Sequence, residues 1–289
     1  MEFIPFVFCD AVCAVLVDLG VLMELPSDNS KCGIWKRGAL TSDAGRVSIE
    51  VNVNCEDGVW SCGICKSTYN GNIPITFEEL KAISRRYVQT SSVGIGYVHN
   101  NSQSATVEEV REILKYSVPF VNMADIWIAA DQNIPDDILV ALLSRFCNSS
   151  VSEIKVLSNS KAAEDFLKTH LQSEWLTTIK IADDGWSNEL REALERFALA
   201  KPFEWVDVQV KNSFVFGLKF LKKLLRKSCR HNWVAFTARF GVKFRKLRKL
   251  KKEMQIQMDV DRIVWRRRDG ATIQITRLKD GRLDIEFLC

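Results

Sequence analysis

The chain is poor in the groups that carry most enzyme chemistry. Its 289 residues include only three histidines, His99, His170 and His231, and none sits in an H-E-x-x-H setting. There is no G-x-x-x-x-G-K-[ST] loop, no G-x-G-x-x-G after a strand pattern and no G-x-S-x-G elbow. The acidic pairs Asp136-Asp137 and Asp183-Asp184 fall at a helix start and a turn, where Asp caps backbone amides. The expectation is a protein that is not an enzyme and needs no cofactor. A long uncharged apolar run is missing too. Phe3 to Leu25 is apolar, but Asp10 and Asp18 interrupt it, and Glu2 stands where a secretory signal wants positive charge. No membrane span is therefore expected, and the cytoplasm or nucleus is the expected location. Acid is absent between Asp207 and Glu253.

What is present begins with nine cysteines, an odd and scattered set: Cys9, Cys13, Cys32, Cys55, Cys62, Cys65, Cys147, Cys229 and Cys289. They read as reduced, mostly buried thiols. Cys32, Cys55, Cys62 and Cys65 could in principle hold zinc. However, Trp60 to Lys66 reads as a strand, and the odd separation of Cys62 and Cys65 then sends them to opposite faces. No metal site is expected.

Val47 to Val53 alternates apolar and polar residues as a half-buried strand does. Glu56-Asp57-Gly58 supplies a turn and Val59 to Lys66 returns, giving a β-hairpin. Asn70-Gly71 is a second turn signal. Thr76-Phe77-Glu78-Glu79 and Thr106-Val107-Glu108-Glu109 are capping boxes, each opening a short helix.

Beyond the hairpin a period takes over. β-like triplets begin at Ile95, Ile126, Ile154, Ile179, Val206 and Val234, with steps by subtraction of 31, 28, 25, 27 and 28. Such a period marks a stacked repeat. Met123, Ile126, Ile128 and Asp131 fit the spacing L-x-x-L-x-L-x-x-N, as do Val151, Ile154, Val156 and Asn159, and Leu176, Ile179, Ile181 and Asp184. Phe203, Val206 and Val208 repeat it but end on Lys211. The terminal Asn or Asp can satisfy amides of the turn that leaves the strand. Helical stripes lie between: Leu139, Leu142, Leu143, Phe146; Ala163, Phe166, Leu167; Leu190, Leu194, Phe197. Strand–helix–strand units of this length give parallel strands with right-handed crossovers. Asp269-Gly270 and Asp280-Gly281 then separate three alternating runs, Arg262–Arg268, Ala271–Arg277 and Arg282–Leu288, an antiparallel meander. The expected fold is α/β, a leucine-rich-repeat-like solenoid of parallel strands with outer helices. It follows an N-terminal helical segment (residues 1–45) and the hairpin, within a domain at 46–289, and ends in the meander.

The opening Ile4-Pro5-Phe6-Val7-Phe8-Cys9-Asp10-Ala11-Val12-Cys13, Trp35 and the repeats behind them resemble F-box proteins with leucine-rich-like repeats. Gly58-Val59-Trp60, Arg85-Arg86-Tyr87-Val88, Trp265 and Asp269-Gly270 make the chain similar to nematode F-box-like families. The resemblance implies a substrate-recognition subunit of a Skp–cullin–F-box ubiquitin ligase. Ile4, Pro5, Phe6, Val12 and Leu16 match the positions that would face the Skp-type linker. The usual Leu-Pro followed by an acidic residue is replaced here by Ile4-Pro5-Phe6. The plain alternative is a helix that packs on the first repeat and binds no partner.

An array of this kind offers a long surface. The outward strand positions Trp127, Lys155, Lys180 and Asp207 are the candidate contacts for a protein target, unless a loop covers Trp127. The competing surface is basic. Residues 211–289 carry 22 of the 40 Lys+Arg but only 7 of the 36 Asp+Glu, so this segment is positive and the remainder negative despite an overall +4. Phe214, Leu218, Leu221 and Leu225 are read as one helix face, with Lys219, Lys222, Lys223, Arg226 and Lys227 on the other. Lys243, Arg245, Lys246, Arg248, Lys249, Lys251 and Lys252 follow around Phe244, Leu247 and Leu250. These are solvated helix faces, a nuclear localisation signal, or a surface for nucleic acid or another anion, with Lys222, Lys223, Arg226, Arg245, Arg248 and Lys249 as its contacts.

Overall fold

A computed structural model of the chain describes residues 12, 31–68, 71–96, 102–117, 121–129, 134–210, 214–226, 233–247, 256–259, 261–266 and 272–288. Ile4, Pro5, Phe6 and Leu16 lie outside the described residues, and Val12 is described only as helical and partly buried. The chain divides into two compact units, Met1–Ala124 and Asp125–Cys289. Each is mixed α/β, with strands that belong to an open sheet.

In the first unit, helix α1 (Lys31–Gly45) precedes the hairpin of β1 (Val47–Glu56) and β2 (Val59–Thr68). The register closes Glu56 on Val59, so Asp57 and Gly58 alone form the turn. Both have positive φ, 50° and 79°. That is the hand a two-residue hairpin turn needs to follow the twist of its strands. Val47, Ile49, Val51 and Val53 are buried at alternate positions, as the pattern predicts. A short strand β3 (Gly71–Ile75), not expected from the sequence, pairs antiparallel with β2. Helix α2 (Phe77–Ala82) follows, and then β4 (Val88–Ile95), which runs parallel to β1. Strand β5 (Gln103–Ala105) pairs with Trp60–Cys62 of β2, and helix α3 (Val107–Ser117) leaves it. Both capping boxes form. The Glu79 amide donates to Thr76 Oγ1 at 3.1 Å while the Thr76 amide donates to Glu79 Oε2 at 2.7 Å. Thr106 and Glu109 repeat this at 3.2 and 2.7 Å. The first expected repeat strand is corrected here. Ile95 ends β4 instead of starting a strand, and Gly96 turns the chain with φ 79°.

The second unit takes up β6 (Val121–Ile128) after its fourth residue. There follow α4 (Asp136–Leu143) with a 3-10 turn Ser144–Phe146, β7 (Ser150–Val156), α5 (Lys161–His170), β8 (Thr178–Ala182), α6 (Asn188–Ala200) and β9 (Trp205–Gln209). Helix α7 (Leu218–Leu224), β10 (Trp233–Ala238) and the single turn α8 (Phe244–Leu247) come next. The last strands are β11 (Ile256–Met258), β12 (Arg262–Arg266), β13 (Thr272–Arg277) and β14 (Leu283–Leu288). The strand order is β6-β7-β8-β9-β10-β14-β13-β12-β11. From β7 to β10 the neighbours are sequential and parallel, with one helix among the described residues of each connection. The meander is antiparallel, and β14 pairs directly with β10.

One face of this sheet is apolar. Ile126, Ile154, Ile179, Val206 and Phe236 are each fully buried, as are Ile285, Ile275 and Ile263 in the meander. The expected helical stripes are buried as well: Leu139, Leu142, Leu143, Phe146; Ala163, Phe166, Leu167; Leu190, Leu194, Phe197. Each such large side chain contributes about 1.5–3 kcal/mol when fully removed from water. Phe216, Phe220 and Phe236 cluster with centroids 5.2–5.4 Å apart. This cluster explains a second correction. Helix α7 buries Phe220, Leu221 and Leu224, whereas Leu218, expected inside, is 38% exposed. The Phe236 ring of β10 draws the helix round toward Phe220.

The period gives the true register for three strands. Ile154 pairs with Ile179, and Ile179 with Val206. The next step slips by two, because Val206 pairs with Phe236 and not with Val234. A slip of two keeps the same face inward.

Candidate functional site

The second face of the parallel strands carries the expected target residues. Side chains alternate along a strand, so the neighbours of Ile126, Ile154, Ile179 and Val206 point away from the helices. The Leu157 amide donates to the Ile128 carbonyl at 2.8 Å, which sets Trp127 beside Lys155. Lys155 lies opposite Lys180, and Lys180 opposite Asp207. Trp127, Lys155, Lys180 and Asp207 thus form one row across four strands. Thr237 and Asp284 continue it.

The four members are not equivalent. Trp127, Lys155 and Lys180 are partly exposed. Lys155 Nζ lies 4.2 Å from the Trp127 ring centroid and 2.5 Å from Glu153 Oε1. The ring and the carboxylate together hold the ammonium. Asp207, expected to be free for a target, is only 5% exposed. Arg282 Nη1 meets its Oδ1 at 2.6 Å and Gln209 Nε2 donates to its Oδ2 at 2.6 Å. It acts as a covered anchor within the row. Arg282 was not legible as its partner, since it arrives from the turn before β14. Trp205 was legible but missed. It stands two residues before Asp207, hence on the same face, and lies half-exposed opposite Thr178.

The turns that leave the strands are tied to one another. The Asn159 amide donates to Asp183 Oδ2 at 3.1 Å, and Asn159 Nδ2 donates to the Asp184 carbonyl at 3.1 Å. The expected role of the terminal Asn or Asp is corrected here: the Asn159 side chain donates to a carbonyl of the next turn, and Asp183, one residue before the expected Asp184, accepts the amides. Among the helices, Glu164 is 5% exposed and accepts from Ser187 N and Oγ at 3.1 and 2.6 Å, with Lys168 Nζ at 2.6 Å. Burial raises the Glu164 carboxyl, but these hydrogen bonds and the Lys168 charge outweigh it and hold it below the usual range.

The basic tract is only partly described. Lys222 and Lys223 are exposed on the seven-residue α7, and Arg226 is exposed just after it. Arg245 lies in α8, and Arg248 and Lys249 fall outside the described residues. The cysteines follow the strand reading. Cys62 faces Val53 across the hairpin and Cys65 faces Glu50, so the two point to opposite faces. Burial pushes the Cys62 thiol up to about 12; burial and then the Glu50 charge raise Cys65. Among the described residues no group of three or more His, Cys, Asp and Glu side chains is placed to hold a metal ion.

No protein-family model matches the chain, and neither a curated protein nor a solved structure matches it significantly. Among the described residues no helix is long and apolar enough to cross a membrane.

Proposed function

We propose that this protein acts by binding, as an adaptor whose second unit is a short leucine-rich-like solenoid that holds a protein target on its open sheet face. The carrying observation is the row Trp127–Lys155–Lys180 on strands that run parallel and in sequence, with the opposite face filled by apolar side chains. Parallel sheets are usually covered on both faces. A polar face with half-exposed tryptophans is therefore a surface suited to a partner, and such aromatics are enriched at binding hot spots. The sequence resemblance of residues 4–16 to an F-box supports the further reading that the adaptor presents its target to a cullin–RING ligase through a Skp-type linker, in the cytoplasm or nucleus.

The test is capture of a Skp-type linker by the full chain. It should succeed with the wild type and fail when Ile4, Phe6 and Leu16 are changed to Asp. Trp127→Ala should leave that capture intact while losing the target. Failure of the wild type to retain the linker removes the ligase reading. Binding that depends on Lys222 and Lys223 and falls steeply with salt would instead favour a nucleic-acid or other anionic partner on the basic tract.

A further inference from the structure

We propose that the open face of β7–β9 takes an extended acidic protein segment, with one carboxylate seated at Lys180 and apolar side chains resting on Trp127 and Trp205. This rests on the reading of that face as the target surface. The argument is one of charge. Four charged side chains occupy the open face of these strands: Glu153, Lys155, Lys180 and Asp207. Glu153 and Lys155 pair with each other, and Asp207 is held by Arg282. Lys180 alone has no ion-pair or hydrogen-bond partner among the described residues. It stands between Lys155 on one side, a like charge that costs stability on a sheet, and Asp207 on the other, whose carboxylate is already engaged by Arg282 and Gln209. A carboxylate at Lys180 relieves that repulsion and completes the pattern.

The chemistry of the face narrows the occupant. Lysine offers a point charge, not the planar fork with which arginine grips phosphate. The fixed carboxylates Glu153 and Asp207 flank Lys180 and repel the repeating charges of a nucleic-acid backbone. A single Asp or Glu between apolar residues meets that repulsion once instead of at every unit, and Lys180 offsets it. Trp127 and Trp205 stand three strands and two residues apart, about 16 Å at the usual strand spacing and rise, which an extended segment crosses in about five residues.

The test begins with random peptides displayed on phage and selected on the full chain. Enriched sequences are then made with a fluorescein label and titrated by anisotropy. Enriched peptides should hold an Asp or Glu between two apolar positions. Lys180→Gln should weaken them about three- to tenfold, Lys180→Glu further, and Lys222→Gln not at all. Because Lys180 is on the surface, the Gln variant leaves the core untouched. Peptides without acid, or indifferent to Lys180→Gln, overturn the proposal. If they still weaken with Trp127→Ala, the face remains the target surface; if they ignore both changes, that reading falls as well. A labelled oligothymidine that binds in a Lys180-dependent way overturns it too.

Discussion

Arg282 Nη1 sits 2.6 Å from Asp207 Oδ1 although 75 positions separate them in the chain. Their side chains are 15% and 7% exposed. The pair ties the turn before β14 to the middle of β9. Removing the arginine strands a covered carboxylate, which costs more than the pair itself is worth. Arg282→Ala should lower stability by about 2–3 kcal/mol in urea unfolding. The double change with Asp207→Ala should cost less than the two single changes added together. Strict additivity would mean that the two do not act on each other.

Gly185 has φ 93°, and a Cβ there would meet Asn159 Nδ2 at 2.7 Å. Gly185→Ala should destabilise by about 1–3 kcal/mol. Combining it with Asn159→Ala removes the clash but not the backbone strain. The double variant should then fall short of the sum, as a thermal melt series would read.

Two buried groups contribute to the response to acid. His170 is 2% exposed, its ring lies tilted 4.5 Å from that of Phe166, and its Nε2 has no hydrogen-bond partner among the described residues. Burial lowers its pKa, and its bond to the Phe146 backbone opposes this only in part. The unfolded chain therefore takes the proton first. Stability is full above the ordinary value of 6.5 and declines as pH falls through it. Glu164, held low, adds a second loss as pH falls below its ordinary 4.5. His170→Phe should flatten the unfolding midpoint between pH 7.5 and 5.5, and Glu164→Gln only the steeper part at lower pH. An unchanged profile in both would place the acid response elsewhere.

Cys55, Cys62 and Cys65 are buried and Cys147 is exposed. A thiol reacts as the thiolate, so the raised Cys62 and Cys65 are doubly protected. Iodoacetamide followed by peptide mapping should label Cys147 in the native protein and these three only in denaturant. Rapid native labelling of Cys62 would contradict its burial.

Lys155 and Lys180 face each other as like charges. In the free protein, Lys180→Gln should raise stability by about 0.2–0.5 kcal/mol, and more at low salt than at high salt. A loss of stability would show that Lys180 supports the fold.

Local rules were legible. The turn at Asp57-Gly58, both capping boxes and the three helical stripes follow from short-range chemistry and stand where the sequence puts them. The spacing from Ile154 to Val206 is the register itself, and it brought Trp127, Lys155, Lys180 and Asp207 into line. Contacts that span distant segments were not legible. The covering of Asp207 depends on Arg282, and the slip to Phe236 and the turn of α7 depend on phenylalanines gathered from Phe203 to Phe240. Strand β3 was not legible beyond its turn signal at Asn70-Gly71, and Pro74 lies within it. Its position at the margin of the sheet tolerates the missing N–H.

The placement of β14 between β10 and β13 has a consequence during synthesis. As the ribosome delivers the chain in order, β10 emerges with β9 already beside it, yet its other flank must wait until β11, β12 and β13 have followed. For that interval the growing protein shows a bare strand margin backed by phenylalanines, an invitation to chaperones or to misassociation. A pause in translation before Leu283 would prolong the exposure, and pairing of β14 with β10 closes it.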